Sequence, residues 1–148
     1  METMKREPIA IITSGGGMKC AYSAGALVAL AKELKLTSPD IFVSASGSVG
    51  AMFYYLAGQY DDIEKAWTRY LPSPQFIRYA PFPALRINYM VDTVLKQYLP
   101  LDVEKAEASK TKFLVPVTDI RSGDTRFIGN DLWLNPYEVM RAATAIPL

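Results

Sequence analysis

Two short turns carry the residue types that could do chemistry. The first runs from Ser14 to Lys19 and contains three consecutive glycines between an apolar run and a predicted helix. Glycines leave backbone N–H groups open to an approaching oxygen, and a helix N-terminus adds partial positive charge. We therefore predict an anion site here, for a phosphate or for the oxyanion of an acyl-transfer intermediate. A tight packing turn would have the same composition and stays an alternative.

The second turn, Ser46 to Gly50, follows the apolar run Ile41–Val43. A serine at a sharp strand-to-helix turn, with small residues two positions before and after it, is typical of a nucleophile elbow that exposes the hydroxyl. Only Ser48 among these serines has a glycine two residues on, so we predict Ser48 as the nucleophile. A serine that caps the following helix is the alternative. The residues expected to support the elbow are Ser46, Gly47, Val49 and Gly50.

The composition excludes several other chemistries. The chain has no histidine, which removes Ser-His-Asp triads and most zinc sites from within it. The single cysteine, Cys20, cannot form an internal disulfide, and a net charge of +1 does not favour a nucleic-acid partner. No Gly-Lys dipeptide supports a phosphate loop, and Cys20 occupies the third glycine position of the dinucleotide pattern. Nucleotide binding remains a third, weaker hypothesis for the glycine turn.

The elements around the two turns predict an α/β fold. Apolar residues on both faces of Ile9–Ile12 indicate a strand buried inside a parallel sheet. The apolar run Ile41–Val43 indicates a second buried strand. The helix after the first strand is indicated by Leu27, Leu30, Ala31 and Leu34. The helix after the second strand is indicated by Met52, Phe53 and Leu56, and ends near Gly58. Because a helical crossover brings parallel strand ends to the same edge, both turns should lie side by side.

The rest of the chain predicts one domain over residues 1–148. The further elements are helices over Asp61–Tyr70 and Met90–Tyr98, a hairpin of Phe113–Val117 with Thr125–Ile128, and a last helix opened by Pro136. The uncharged stretch Ile41–Tyr60 contains serines, glycines and a glutamine, so we interpret it as strand, turn and helix rather than a membrane span. No signal-peptide core follows the first residues, which favours a soluble, cytoplasmic protein.

The segment Leu71–Val91 is irregular, with Arg78 and Arg86, no acidic residues, and several aromatic side chains. Two interpretations stay open: a lid or patch that touches a lipid surface, or a loop packed over the core. The aromatic side chains are Phe76, Tyr79, Phe82 and Tyr89.

The glycine turn, the serine turn and the end of the chain together resemble the patatin-like phospholipases. Ser14 to Tyr22 looks like their Gly-Gly-Gly-x-Arg/Lys-Gly oxyanion motif, and Ser46 to Ala51 looks like their Gly-x-Ser-x-Gly elbow. Arg141 to Pro147 resembles the helix end before the family's Asp-Gly-Gly/Ala motif. The resemblance implies a three-layer sandwich with a mainly parallel central sheet. It also implies a lipid acyl hydrolase with a Ser-Asp dyad and no metal or other cofactor, in peripheral contact with membranes. The implied oxyanion residues are Gly15, Gly16, Gly17 and Met18.

The chain departs from that motif at several positions. Cys20 and Ser46 stand where the family has glycine, and Lys19 stands where arginine is frequent. Lys19 would steady the loop or meet a lipid phosphate, or it is simply an exposed lysine. No Asp-Gly dipeptide occurs, so the chain resembles a domain truncated before the catalytic aspartate. Asp119 looks like a structural aspartate at a strand end. A non-catalytic lipid- or anion-binding module with an incomplete dyad is therefore the alternative function.

Overall fold

The computed structural model describes residues 7–79, 85–132 and 134–145. Four strands form one sheet in the order β1-β2-β3-β4. β1, β2 and β3 are parallel, while β3 and β4 form an antiparallel hairpin. The strands are β1 Ala10–Thr13, β2 Ile41–Ser44, β3 Lys112–Thr118 and β4 Thr125–Gly129. The α/β fold, the mainly parallel sheet and the predicted hairpin are thus confirmed.

The helices connect these strands and close the domain. One α-helix follows β1, three lie between β2 and β3 and one follows β4; a π-helix over Tyr89–Tyr98 also lies between β2 and β3. The α-helices are α1 Cys20–Lys32, α2 Val49–Leu56, α3 Tyr60–Lys65, α4 Val103–Glu107 and α5 Pro136–Thr144. α3 continues as a π-helix over Ala66–Tyr70. The predicted helices at Asp61–Tyr70 and Met90–Tyr98 are therefore confirmed, whereas α4, which the Asp102 side chain caps by accepting a hydrogen bond from the Lys105 N–H, was not predicted.

Only one face of the sheet is covered by the described residues. The buried apolar side chains of the sheet on that face are Ile11, Phe42, Phe113, Val115 and Ile128. On the opposite face Ile12 is 76% exposed and Phe127 is 54% exposed. Crossovers between parallel strands are almost always right-handed, so two that step in the same direction place their helices on one face. The described residues form two layers where three were expected, and β1 is an edge strand rather than a buried one.

The core lies between this face and the helices. α2 is hydrophobic all round and almost completely buried, as a central helix should be. The rings of Phe42 and Tyr55 meet edge to face at 5.5 Å, and those of Phe53 and Phe113 at 5.4 Å. Burial raises the pKa of the Tyr55 phenol to about 12. These contacts anchor the strand and the helix on either side of the serine turn.

The helix boundaries refine the sequence prediction. Leu34 was expected on the apolar face of the first helix, but α1 ends at Lys32 and Leu34 is exposed. The chain leaves the helix through Lys35, whose φ of 55° is left-handed. At the other end of the chain, the Asn135 side chain caps α5 by accepting a hydrogen bond from the Tyr137 N–H, and Pro136 occupies the first turn as predicted.

The uncharged stretch Ile41–Tyr60 folds into β2, the serine turn, α2 and the start of α3, in line with the interpretation from sequence. Within the described ranges, no helix combines the length and the apolar character needed to cross a membrane. The last residues of the motif-like tail, Ile146 and Pro147, lie outside the described residues.

Candidate active site

The glycine turn and the serine turn lie next to each other at the carboxyl edge of the sheet. Thr13 and Ser44, the last residues of β1 and β2, are paired in register, and the Thr13 hydroxyl donates a 2.8 Å hydrogen bond to Ser44 Oγ. The Ala45 N–H donates to the Thr13 carbonyl at 3.2 Å. The side-by-side placement predicted from the strand order is therefore confirmed.

The glycine turn adopts a backbone path that needs glycine. Gly16 has a φ of 145° and Gly17 a φ of 57°, both in the region that L side chains rarely adopt. Gly17, Met18 and Lys19 then form one 3₁₀ turn that leads into α1 at Cys20. Gly15 and Gly16 are exposed, so ligands can approach this backbone from solvent. Lys19 is also exposed, with its side-chain stem beside Gly16.

The two turns touch through positions that lack side chains. A Cβ atom on Gly15 would lie 2.9 Å from Ser46 Cβ and 3.7 Å from Ser46 Oγ. A Cβ atom on Gly47 would lie 3.1 Å from the Cys20 sulfur. A side chain at position 15 would require the Ser46 turn to move, and one at position 47 would require the Cys20 thiol to give way, so glycine at both positions allows this close approach. The arrangement places the Ser46 side chain against the glycine turn.

Ser48 does not have the exposed hydroxyl that a nucleophile elbow requires. Its exposed fraction is 0%, and its Oγ donates a 2.8 Å hydrogen bond to the Ser14 carbonyl oxygen. Ser48 has helical backbone angles and makes no side-chain capping bond to α2. The expectation of an exposed Ser48 hydroxyl was wrong, because the 3₁₀ turn from Ser46 to Ser48 rotates this side chain inward. The capping alternative is not what the structure shows either.

Ser46 has the geometry that the sequence led us to expect at Ser48. Its φ is +52°, and the other described residue besides glycine with a positive φ is Lys35. The side chain is half-buried rather than enclosed. A left-handed serine costs conformational energy and persists only where its surroundings enforce it, which is common at active sites. The sequence pattern assigned Ser46 only a supporting role, because a positive φ cannot be recognised from residue types and their spacing.

The remaining predicted residues pack around these turns. Val49 is buried, and a Cβ atom on Gly50 would lie 3.6 Å from Leu95 Cδ1, so both support the start of α2 from within the core. Cys20 is a free, buried thiol whose sulfur lies 3.8 Å from the Ser14 carbonyl oxygen. Met18 is half-buried against the core. Helix α5 also contacts the serine turn.

The irregular segment Leu71–Val91 reaches the glycine turn. A Cβ atom on Gly17 would lie 3.7 Å from Leu85 Cδ1, and Phe76 is buried in the core while Tyr79 is fully exposed. Ile77 and Leu85 form an isolated antiparallel bridge. Phe82 lies outside the described residues. The described parts of the segment therefore fit both interpretations: Phe76 packs into the core, as a packed loop would, and Arg78 and Tyr79 are exposed, as a lipid-contacting patch would be.

Asp119 is engaged in the turn of the β3–β4 hairpin. Its Oδ1 accepts a hydrogen bond from the Arg121 N–H at 2.9 Å, and its own N–H donates to the Asp124 carbonyl at 2.9 Å. Its Oδ2 lies 4.0 Å from Arg126 Nε. These contacts agree with a structural role for Asp119. In the part of the chain that the structure describes, no three Cys, Asp or Glu side chains cluster as a metal site would require.

Comparison of this chain with protein-family models, with curated proteins and with solved structures gave no match.

Proposed function

We propose that this chain carries the nucleophile and the oxyanion loop of a serine acyl hydrolase that cleaves ester bonds of lipids, of phospholipase A or esterase type. The observation that carries the proposal is the contact between Gly15 and Ser46 at the carboxyl edge of the sheet. It places the side chain of a serine against the glycine turn, in which Gly15 and Gly16 are exposed. The resemblance to patatin-like phospholipases points to the same chemistry.

The proposed reaction begins with attack of a serine hydroxyl of the 46–48 turn on the ester carbonyl carbon. The carbonyl oxygen becomes an oxyanion, which backbone N–H groups of the glycine turn would stabilise. The candidate donors to the oxyanion remain the backbone N–H groups of Gly15, Gly16, Gly17 and Met18. In the family that this chain resembles, an aspartate takes the serine proton. An ordinary aspartate has a pKa of about 3.9, so burial would have to raise the pKa of that carboxyl group before it could serve as a base.

Two surfaces at the same edge support a lipid substrate. A groove of about 430 Å³ runs between the end of β3 and α5, lined mostly by apolar residues such as Pro116, Val117 and Ala143. The segment beside the glycine turn exposes Tyr79 together with Arg78 and Arg86, a combination suited to an anionic lipid surface. We expect the protein to act on lipid in the cytoplasm, at membrane surfaces, without a metal or another cofactor.

The proposal is tested by reacting the natural, full-length product with a fluorophosphonate and recording its intact mass, in parallel with hydrolysis of short- and long-chain esters. We expect a single adduct on the folded protein and none after heat denaturation. A folded protein that neither forms an adduct nor hydrolyses any ester would overturn the assignment.

A non-catalytic lipid- or anion-binding module is the second candidate, because the Ser48 hydroxyl is committed to a backbone carbonyl while the glycine turn remains exposed. Binding to anionic vesicles by a protein that shows no adduct and no ester hydrolysis would favour this function.

A further inference from the structure

We propose that Ser46, and not Ser48, is the nucleophile of this site, and that Ser48 is a positioning residue that holds the glycine turn against it. The inference rests on the proposed hydrolase function. It reverses the choice of Ser48 made from the sequence pattern, in which both serines have small residues two positions before and after them and only Ser48 is followed by a glycine two residues on.

The backbone at Ser46 carries the first part of the argument. A nucleophile elbow places its reactive residue on the strained bend between a strand and a helix. Ser46 occupies that bend, two residues after the end of β2, with a left-handed φ of +52°. Ser48 has an ordinary helical φ of −78° at the start of α2. The strain therefore lies at Ser46.

The second observation is that Ser46 is accessible to a substrate whereas Ser48 is not. Ser46 is half-buried, and its Oγ lies 3.7 Å from the position that a Cβ atom on Gly15 would occupy. An ester carbonyl at this hydroxyl would lie beside the backbone of the glycine turn, where donors for an oxyanion are needed. The Ser48 hydroxyl has no exposed surface and could meet an ester only if the turn opened.

The third observation is that the hydrogen bond of Ser48 orients the glycine turn. A serine hydroxyl has one donor hydrogen, and Ser48 donates it to the Ser14 carbonyl oxygen. In a trans peptide the C=O of one residue and the N–H of the next point in opposite directions. Because Ser48 holds the Ser14 carbonyl inward, the Gly15 N–H is directed away from Ser48. The bond thus orients the first amide of the glycine turn toward the side of an incoming substrate.

Ser46 Oγ forms a bond to the ester carbonyl carbon and gives its proton to a carboxylate base. The bond between that carbon and the alcohol oxygen then breaks, and the alcohol leaves with the proton. Water hydrolyses the acyl-serine in the reverse sense and releases the fatty acid. A fluorophosphonate reports the first step, since an Oγ–P bond forms while fluoride and the proton leave.

The test maps the fluorophosphonate adduct by peptide mass spectrometry in the full-length product and in four variants. We expect the wild-type adduct on Ser46, and none on Ser46→Ala or Ser46→Gly. Glycine adopts a φ of +52° without strain, so Ser46→Gly should be at least as resistant to urea as the wild type. Loss of the adduct in this variant therefore reports lost chemistry rather than lost folding.

Ser48→Ala tests the positioning role. We expect the adduct to stay on Ser46 and to form on the order of 10- to 100-fold more slowly, which is less than the roughly 100- to 1000-fold loss when an oxyanion donor is removed outright, because Ser48 only orients such a donor. Ester hydrolysis should lose kcat with little change in KM. Ser48→Cys keeps a weak donor and should recover part of the rate.

The outcomes separate the two proposals. An adduct on Ser48 would overturn the assignment of Ser46 while leaving the hydrolase function intact. An unchanged labelling rate in Ser48→Ala would overturn the positioning role. The absence of any adduct or ester hydrolysis in the wild type would overturn the hydrolase function itself, together with this inference.

Discussion

Gly47 packs on the thiol of Cys20 so closely that a Cβ atom at position 47 would lie 3.1 Å from Sγ and 3.4 Å from the Gly17 carbonyl oxygen. The serine turn therefore sits directly on the first turn of α1, with the buried thiol filling the space between them. Cys20 directly follows the glycine turn and Gly47 lies in the serine turn, so their contact sets how closely the two turns approach.

This contact predicts a compensating pair of substitutions. Gly47→Ala should lower the free energy of unfolding by about 1–3 kcal/mol, because the new methyl group overpacks the junction. Adding Cys20→Ala removes the sulfur and should restore most of that loss, although Cys20→Ala alone leaves a small void. Urea unfolding of both single variants and the double variant measures the coupling. Strictly additive effects would contradict the contact.

Gly15→Ala should disturb the site more directly. Its methyl group would lie 2.9 Å from Ser46 Cβ, and neither backbone can retreat without moving a turn. We expect the rate of fluorophosphonate labelling to fall at least tenfold. Gly25→Ala is the matched control, since a Cβ atom there meets nothing within 4 Å and alanine favours the helix by up to about 1 kcal/mol. Equal labelling rates in the two variants would contradict this account of Gly15.

Neighbouring residues of β1 test which sheet face is covered. Ile11→Ala should cost about 2–4 kcal/mol, because Ile11 is only 8% exposed and its truncation leaves a cavity. Ile12→Ala, one residue on, should change the free energy of unfolding by less than about 1 kcal/mol, because its side chain lies on the open face. Similar losses measured by urea unfolding of the full-length product would show that a further layer covers Ile12.

The ion pair between Asp92 and Arg141 predicts a pH dependence. Arg141 also donates to Asn88 Oδ1 at 2.6 Å, and so ties α5 to the π-helix Tyr89–Tyr98. The hydrogen bond from Arg141, followed by that from Lys96, lowers the pKa of the Asp92 carboxyl group below 3.8. A lowered folded-state pKa contributes stability above pH 3.8, and the contribution is lost as the pH falls through the folded-state value.

Both partners are partly exposed, so Asp92→Asn should cost at most about 1 kcal/mol at pH 7. The difference between wild type and variant should shrink as the pH falls below 3.8. Urea unfolding at pH 7 and pH 3 measures both values. A difference that is the same at the two pH values would show that the carboxylate charge contributes nothing.

The positions of the two turns could be predicted from sequence because small residues interrupt apolar runs of strand length. In the structure Thr13 and Ser44, the last residues of the two strands, are paired in register. The exposure of Ile12 could not be predicted, since an apolar residue on an uncovered face and one under a helix look the same in a short strand. The covered face depends on the order of all the strands, which involves contacts with residues far along the chain.

The roles of Ser46 and Ser48 could not be predicted from the sequence either. Both serines satisfy a pattern of small flanking residues, and the glycine at position 50 favoured Ser48. What distinguishes them is a backbone angle and a hydrogen bond to Ser14, 34 residues earlier. Residue types at fixed spacing do not encode either property. The left-handed serine is visible only once the strand, the helix and the glycine turn are packed together.

The pairing of β2 with β3 has a kinetic consequence. Ile41 pairs with Lys112, whereas Ala10 pairs with Ile41 after a much shorter stretch of chain. Closing a longer loop costs more chain entropy, and parallel pairings between distant segments slow folding. We therefore expect the two turns to meet before β3 pairs with β2, and α5, which contacts both β3 and the serine turn, to dock later. Stopped-flow refolding should show secondary structure forming before the site becomes reactive.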